Sequence, residues 1–245
     1  MKERYLWKAV LCAAFLLIFQ GLPSTAAAQV AISPVRVDLS DDHDKDVIRV
    51  SSQASSTTSY QVEVVAWSQS GGQREVYAPT EDILAVPPLF TLESGGEQVV
   101  RVGMLVDADP SKEKAYRMFI TELAAPQEEE SEMTGVNMRL RLGIPVFVAP
   151  RAIPNATLTH VESEYVEGQL FMHMKNSGNT HVRVSEVRFQ TSDMDEPHVE
   201  SAALYVLAGQ AAPVQVGLPE GKRYGKVTLV TDTLGIVEYE LAATN

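Results

Sequence analysis

The stretch that most constrains this chain is VNMRLRLGIPVFV, residues 136–148. Val136, Met138, Leu140, Leu142, Ile144, Val146 and Val148 share one parity, and Asn137, Arg139, Arg141, Gly143 and Pro145 share the other. A period of two puts the whole first set on one face of a β-strand. Ordinary strands run about five to six residues, and this pattern sustains roughly twice that length. So long an apolar face needs a cover. Pro145 has no N–H to give to a ladder, so the strand either lies at a sheet edge or changes partners there. A long apolar edge strand invites pairing with another chain. Two readings stand side by side: an ordinary core strand, or a strand kept open to receive a partner's strand.

The rest of the chain uses the same extended pattern in shorter pieces. VIRVSS (47–52), YQVEVVAWSQ (60–69), EQVVRVGML (97–105) and AYRMFITEL (115–123) precede it. ATLTHVESEYV, GQLFMHMKN, THVRVSEVRFQ, SAALYVL, AAPVQVGL, YGKVTLVTD and GIVEYELA follow from residue 156 onward. Gly, Pro, Asn, Asp and Ser punctuate them, and no helical period outlasts about two turns. The Gly-Gly pairs at 71 and 95 read as hairpin turns. DDHDKD (41–46) lacks the Gly and distal Glu of a calcium loop and reads as a solvated hairpin tip. PQEEESEMTG (126–135) is an acidic loop leading into the long strand, and APRAIPN (149–155) is a short, Pro-stiffened linker. The expected fold is all-β, with one β-sandwich domain at 29–149 and a second at 155–245.

Residues 1–28 read as an export signal. Lys2, Arg4 and Lys8 lead into AVLCAAFLLIF, and STAAA (24–28) offers a small-residue cleavage site. The apolar core is too short for a membrane span, and no later run approaches spanning length. The only cysteine, Cys12, lies inside that segment, so the exported chain has no disulfide and relies on its cores. The net charge of −12 becomes −14 once the three basic and one acidic side chains of 1–28 are gone. That balance argues against a nucleic-acid partner.

No constellation for catalysis emerges. His160, His173, His181 and His198 are not paired at metal-binding spacing, and His173, between Met172 and Met174, is expected to face water. There is no G-x-S-x-G elbow, no cysteine nucleophile in the exported chain and no phosphate-cradling glycine loop. The sequence therefore predicts no catalytic residue, no metal and no cofactor. Asn155-Ala156-Thr157 matches a glycosylation sequon, and its linker setting makes it a coincidence.

With these pieces in view the chain resembles the periplasmic pilus chaperones, the PapD-like family. VPPLFTLESGGEQVVRV (86–102) resembles that family's Pro-Pro, Leu-Glu-x-Gly and V-R segment, and AYRMFITEL resembles its next strand. VNMRLRLGIPVFVAP resembles the donor strand running into the interdomain proline, and NSGNTHVRV (176–184) a strand start in the second domain. The resemblance implies two immunoglobulin-like domains in an L shape, a periplasmic location, fimbrial or pilin subunits as clients and an outer-membrane usher as a second partner. The chaperone would lend Val136, Met138, Leu140 and Leu142 to an incomplete subunit, and the mature chain would not insert into a membrane. Arg36 matches the family's first-strand arginine that holds the subunit's C-terminal carboxylate. Pro145 stands where the family has a second cation, a lysine. Arg141, on the polar parity of the donor strand, is the expected replacement and Arg117 the alternative. The region before Tyr60 also lacks the proline that well-known members use against the usher. A competing reading, a structural subunit or adhesin of a surface fibre, predicts an N-terminal donor extension and usually a disulfide, and the sequence has neither.

Overall fold

A computed structural model describes residues 30–54, 56–70, 73–123, 139–167, 169–221 and 223–241. The export segment, the acidic loop, Val136 and Met138 lie outside the described residues. All regular elements among the described residues are strands. The first ten are β1 (Val30–Ser33), β2 (Val37–Leu39), β3 (Lys45–Ser52), β4 (Thr58–Ser70), β5 (Gln73–Pro79), β6 (Ile83–Val86), β7 (Leu89–Leu92), β8 (Glu97–Met104), β9 (Lys114–Glu122) and β10 (Arg141–Val148). They form one sheet in the order β1-β3-β8-β6 and another in the order β2-β10-β9-β4-β5, with β7 also paired to β4. Val37, Ile48, Val50, Val100, Val102, Met118, Val146 and Val148 fill the space between these sheets and are almost fully buried. Each comes from an alternating run, so one face of each sheet is apolar by construction.

The chain leaves one sheet for the other at two prolines, Pro34 between β1 and β2 and Pro87 between β6 and β7; both follow cis peptide bonds. The turn at Gly95-Gly96 is likewise a crossing. It joins β7, paired to β4, to β8, paired to β3 and β6, and is not the hairpin that the sequence suggests. Gly95 has φ of 71°, a conformation that favours glycine, and a Cβ on Gly96 would sit a tight 3.0 Å from the Glu93 carbonyl oxygen. The 41–46 segment is solvated as expected. It too crosses between sheets, from β2 to β3, closed by reciprocal hydrogen bonds between Ser40 and His43.

The remaining strands are β11 (Leu158–Val166), β12 (Gln169–Asn176), β13 (Val182–Gln190), β14 (His198–Val206), β15 (Ala211–Val216), β16 (Gly225–Thr231) and β17 (Gly235–Leu241). They make a three-stranded sheet, β11-β12-β15, facing a four-stranded one, β14-β13-β16-β17. Leu170, Met172 and Met174 of β12 and Val182, Val184 and Phe189 of β13 anchor a second core. His173 is more covered than the sequence suggests: its side chain is 20% exposed and its Nε2 lies 3.3 Å from Glu164. The seven-strand pattern of three facing four is that of an immunoglobulin-like sandwich.

Candidate functional site: an open strand edge and the cleft behind it

The site is built around β10. It pairs antiparallel with β9 along its whole length, Arg141 opposite Thr121 through Val148 opposite Lys114. On its other side it pairs with β2 only at Val146–Val148, in parallel. Between Arg141 and Pro145 that second edge has no strand partner among the described residues. The partner change falls at Pro145, where a missing N–H costs no ladder bond. The strand starts later than the alternation suggests: Arg139 and Leu140 are described and not in strand conformation, although Glu122 N–H still donates to the Leu140 carbonyl at 2.8 Å.

The two faces of β10 differ along its length. Inward, Ile144, Val146 and Val148 are buried, while Leu140 and Leu142 are half-buried against the first core. Those two leucines are therefore not wholly spare, as a pure donor face would be. Outward, Arg141 and Gly143 are exposed, whereas Pro145 and Phe147 are buried. The Arg141 guanidinium lies 3.7 Å above the Phe119 ring, which meets Tyr77 edge-on. A Cβ at Gly143 would come within 3.1 Å of Phe119 Cε1 and 3.3 Å of Arg117 Cδ, so glycine lets both side chains lie across the strand.

Phe147 is buried because the second sandwich covers it. Its ring stacks on His181 at 3.7 Å and packs near Trp67 and Tyr205, forming a small core with Leu207. Polar contacts brace this junction. Gln69 of β4 donates from Nε2 to the Tyr205 carbonyl at 2.7 Å and accepts from the Leu207 N–H at 2.8 Å, as a neighbouring strand would. Glu113 accepts from the His181 N–H at 2.9 Å, and its carboxylate lies 2.9 Å from His181 Nδ1, with both side chains nearly buried. The linker is tied down at both ends. Arg151 and Ala152 donate to the Asp109 and Pro110 carbonyls, Arg151 is ion-paired with Asp41 and Asp107, and Asn155 exchanges hydrogen bonds with Asn179.

Between the sandwiches lies a cleft of about 380 Å³ lined by Trp67, Glu75, Arg117, Tyr205 and Pro213 among others. Arg117 is 9% exposed; its guanidinium stacks 3.8 Å from the Trp67 ring centre, and Nη2 donates to Glu75 Oε1 at 2.6 Å. Its Nε is buried without a hydrogen-bond partner. Arg36 lies in the link between β1 and β2 and not on a strand, ion-paired with Asp38 at 2.8 Å and with Asp232 of the second sandwich at 3.5 Å. Tyr205 lines the cleft with Arg117. Burial raises its phenol, the charges of Arg183, Arg36 and Arg117 act against that rise, and Asp232 adds to it. Tyr77 is pushed up to about 12, first by burial and then by its bond to Glu75.

Of the residues singled out from sequence, Arg117 lines the cleft, Arg36 is ion-paired across the junction with Asp232, and Arg141 lies on Phe119. Leu140 and Leu142 line the open edge. Sequence reasoning missed Gln69, Glu75, Tyr205, Asp232 and the Glu113–His181 pair. The one available signal was Gln69, a polar residue on the same parity as Val65 and Trp67.

Two immunoglobulin-like sandwiches with a braced junction, and a strand paired on one edge only for part of its length among the described residues, define a class of two-domain β-sandwich proteins. The family described as pili and flagellar-assembly chaperone, PapD N-terminal domain, matches residues 29–154. The chain belongs to this PapD-like family of pilus chaperones. Solved structures agree on the fold. A chain of the CsuC–CsuE chaperone–tip adhesion subunit pre-assembly complex from the archaic Csu pili of Acinetobacter baumannii is similar at a TM-score of 0.65 and 19% identity, covering 86% of this chain and 98% of that one. A chain of the Salmonella enterica SafA pilin–SafB chaperone complex is similar at 0.57 and 18%, covering 86% and 96%. The Pseudomonas aeruginosa CupB2 chaperone is similar at 0.52 and 13%, covering 86% and 100%. No match was found among curated proteins. Among the described residues no helix is long and apolar enough to cross a membrane.

Proposed function

We propose that this protein is a periplasmic chaperone that captures fimbrial or pilus subunits by donor-strand complementation and passes them to an outer-membrane usher. Residues 1–28 would direct export, 29–149 would form the capturing domain and 155–245 the second wall of the cleft. The observation that carries this reading is the β10 edge, without a strand partner among the described residues from Arg141 to Pro145, beside half-buried Leu140 and Leu142. A subunit lacking one strand exposes an apolar groove and unpaired backbone, and an added strand satisfies both. Val136, Met138, Leu140 and Leu142 would enter that groove, at about 1.5–3 kcal/mol for each side chain fully buried. The two leucines already share the chaperone's own core, so their gain is smaller, and docking costs reduce it further.

A captured strand needs its register fixed, because a slip of one residue turns every side chain over. Arg117 in the cleft and Arg36 at the junction would hold a subunit's C-terminal carboxylate, since a guanidinium stays charged and grips a carboxylate by two parallel bonds. Arg141 would then support the donor strand from Phe119. Such a protein acts by binding and turns over no substrate.

The test is isolation of the tagged protein from periplasm. One small β-rich subunit should accompany it at equal stoichiometry, and Arg36→Ala should lose that subunit without unfolding. Self-assembly into fibres with no second protein would instead favour a structural subunit. If a subunit trimmed at its C-terminus is held as well as the intact one by both wild type and Arg36→Ala, the carboxylate anchor is wrong.

A further inference from the structure

Neither Arg117 nor Arg36 is bare. Arg117 is held by Glu75, and Arg36 by Asp38 and Asp232. The three carboxylates belong to this chain, and Glu75 differs from the others in its setting. It lies on β5, which among the described residues pairs only with β4, and its side chain is 48% exposed, while the side chain of the arginine it grips is 11% exposed. Arg117 is fixed from three directions: the Trp67 ring beneath its guanidinium, the β10 backbone at Gly143 under its stem, and Glu75 on Nη2. Only the last of these can leave without moving a core residue.

We propose that Glu75 is a resident counter-ion that guards Arg117, and that an incoming carboxylate binds in the cleft by displacing it. The inference rests on the reading of the cleft as the subunit's anchor and adds its regulation. A nearly buried guanidinium without any anion is costly, so an empty cleft needs a stand-in. A half-exposed carboxylate on a side chain with several rotatable bonds is a weak stand-in: it keeps Arg117 neutralised while free and yields to an incoming carboxylate. Displacement makes the site selective. A free carboxylate therefore expels Glu75 only at high concentration, whereas a chain terminus held in register by the β10 edge does so at low concentration.

The geometry supplies its own reporter. Trp67 is the only tryptophan after residue 28, and it lies directly under the Arg117 guanidinium. The chain from residue 29 is titrated with sodium acetate at constant ionic strength, chloride serving as the replaced anion, while Trp67 emission is followed. Glu75→Gln keeps the side chain's shape and removes the competing charge. Its half-response should fall to about one fifth of the wild-type acetate concentration, the equivalent of a partly exposed ion pair of about 1 kcal/mol. Adding Arg117→Met to Glu75→Gln should abolish the response, and Glu75→Ala should reproduce the shift should Gln disturb packing. Coincident curves for wild type and both Glu75 variants, no response in any of them, or a response that survives Arg117→Met would overturn the proposal. The acetate arm needs no subunit. A shift seen in acetate with no subunit recovered from periplasm would sink the chaperone reading and leave the guarded site standing. Subunit recovered with coincident acetate curves would sink only the guard.

Discussion

The two halves of β10 carry one alternating pattern and meet opposite fates. From Pro145 to Val148 the strand is buried on both faces, and from Val146 it is paired on both edges. From Arg141 to Ile144 it is paired on one edge and its outer face is exposed at Arg141 and Gly143. The first half is structural, clamped between two cores. The second is held by one ladder and half a core, so it belongs to the low-stability end from which binding segments are drawn. One strand is therefore held in two different ways, and the division falls at the proline.

That division is open to attack by substitution, and the largest effect should come from the clamped half. Phe147→Ala removes a ring packed against His181, Trp67 and Tyr205, and should cost about 3–5 kcal/mol in urea unfolding. Leu142→Ala, at a half-buried site, should cost clearly less; equal losses would erase the distinction between the halves. Next in size is Leu140→Asp. A carboxylate in a subunit's groove without a partner should weaken capture by about 3 kcal/mol or more, while the chaperone still folds, measured as subunit recovered from periplasm. If unfolding accompanies the loss, Leu140 belongs to the structural half after all.

Gln69→Ala strips two backbone groups of the junction, the Tyr205 carbonyl and the Leu207 N–H, of their partner. It should cost about 1–3 kcal/mol and broaden the angle between sandwiches in solution scattering. An unchanged scattering profile and midpoint would show that the aromatic contacts alone set the junction. The smallest effect is expected at Arg141→Ala, which gives up one exposed cation–π contact, about 0.5–1 kcal/mol, and should weaken subunit capture only slightly. A loss as large as that of Leu140→Asp would move Arg141 into the anchor.

Much of this contrast was legible beforehand. Parity alone put Leu140, Leu142, Ile144, Val146 and Val148 on one face, and the missing N–H of Pro145 marked where partners change. Strand positions were equally readable, because each run alternates and ends at a turn former. What lay hidden depends on cover supplied from far along the chain. Phe147 sits on the polar parity, and only the second sandwich makes that parity apolar at one end. Arg117 looks solvated until Trp67 and Glu75 close over it. The Gly95-Gly96 turn looks like a hairpin, since a tight turn between two strands reads the same whether they pair or part into different sheets. Arg36 and Asp232 are nearly two hundred positions apart, and no local pattern announces their bond.

The eight-pair ladder between β9 and β10 has a mechanical consequence. Tension along the strand axis, pulling β10 against its linker, loads all the ladder bonds in parallel, and they must yield together. A pull across the axis at Leu140 meets them in series and opens the ladder one pair at a time from that end. The linker's bonds to Asp109, Pro110 and Asn179 block the same peeling from the other end. The molecule should therefore be stiff to tugging and compliant to unzipping, with the compliant direction beginning at Leu140.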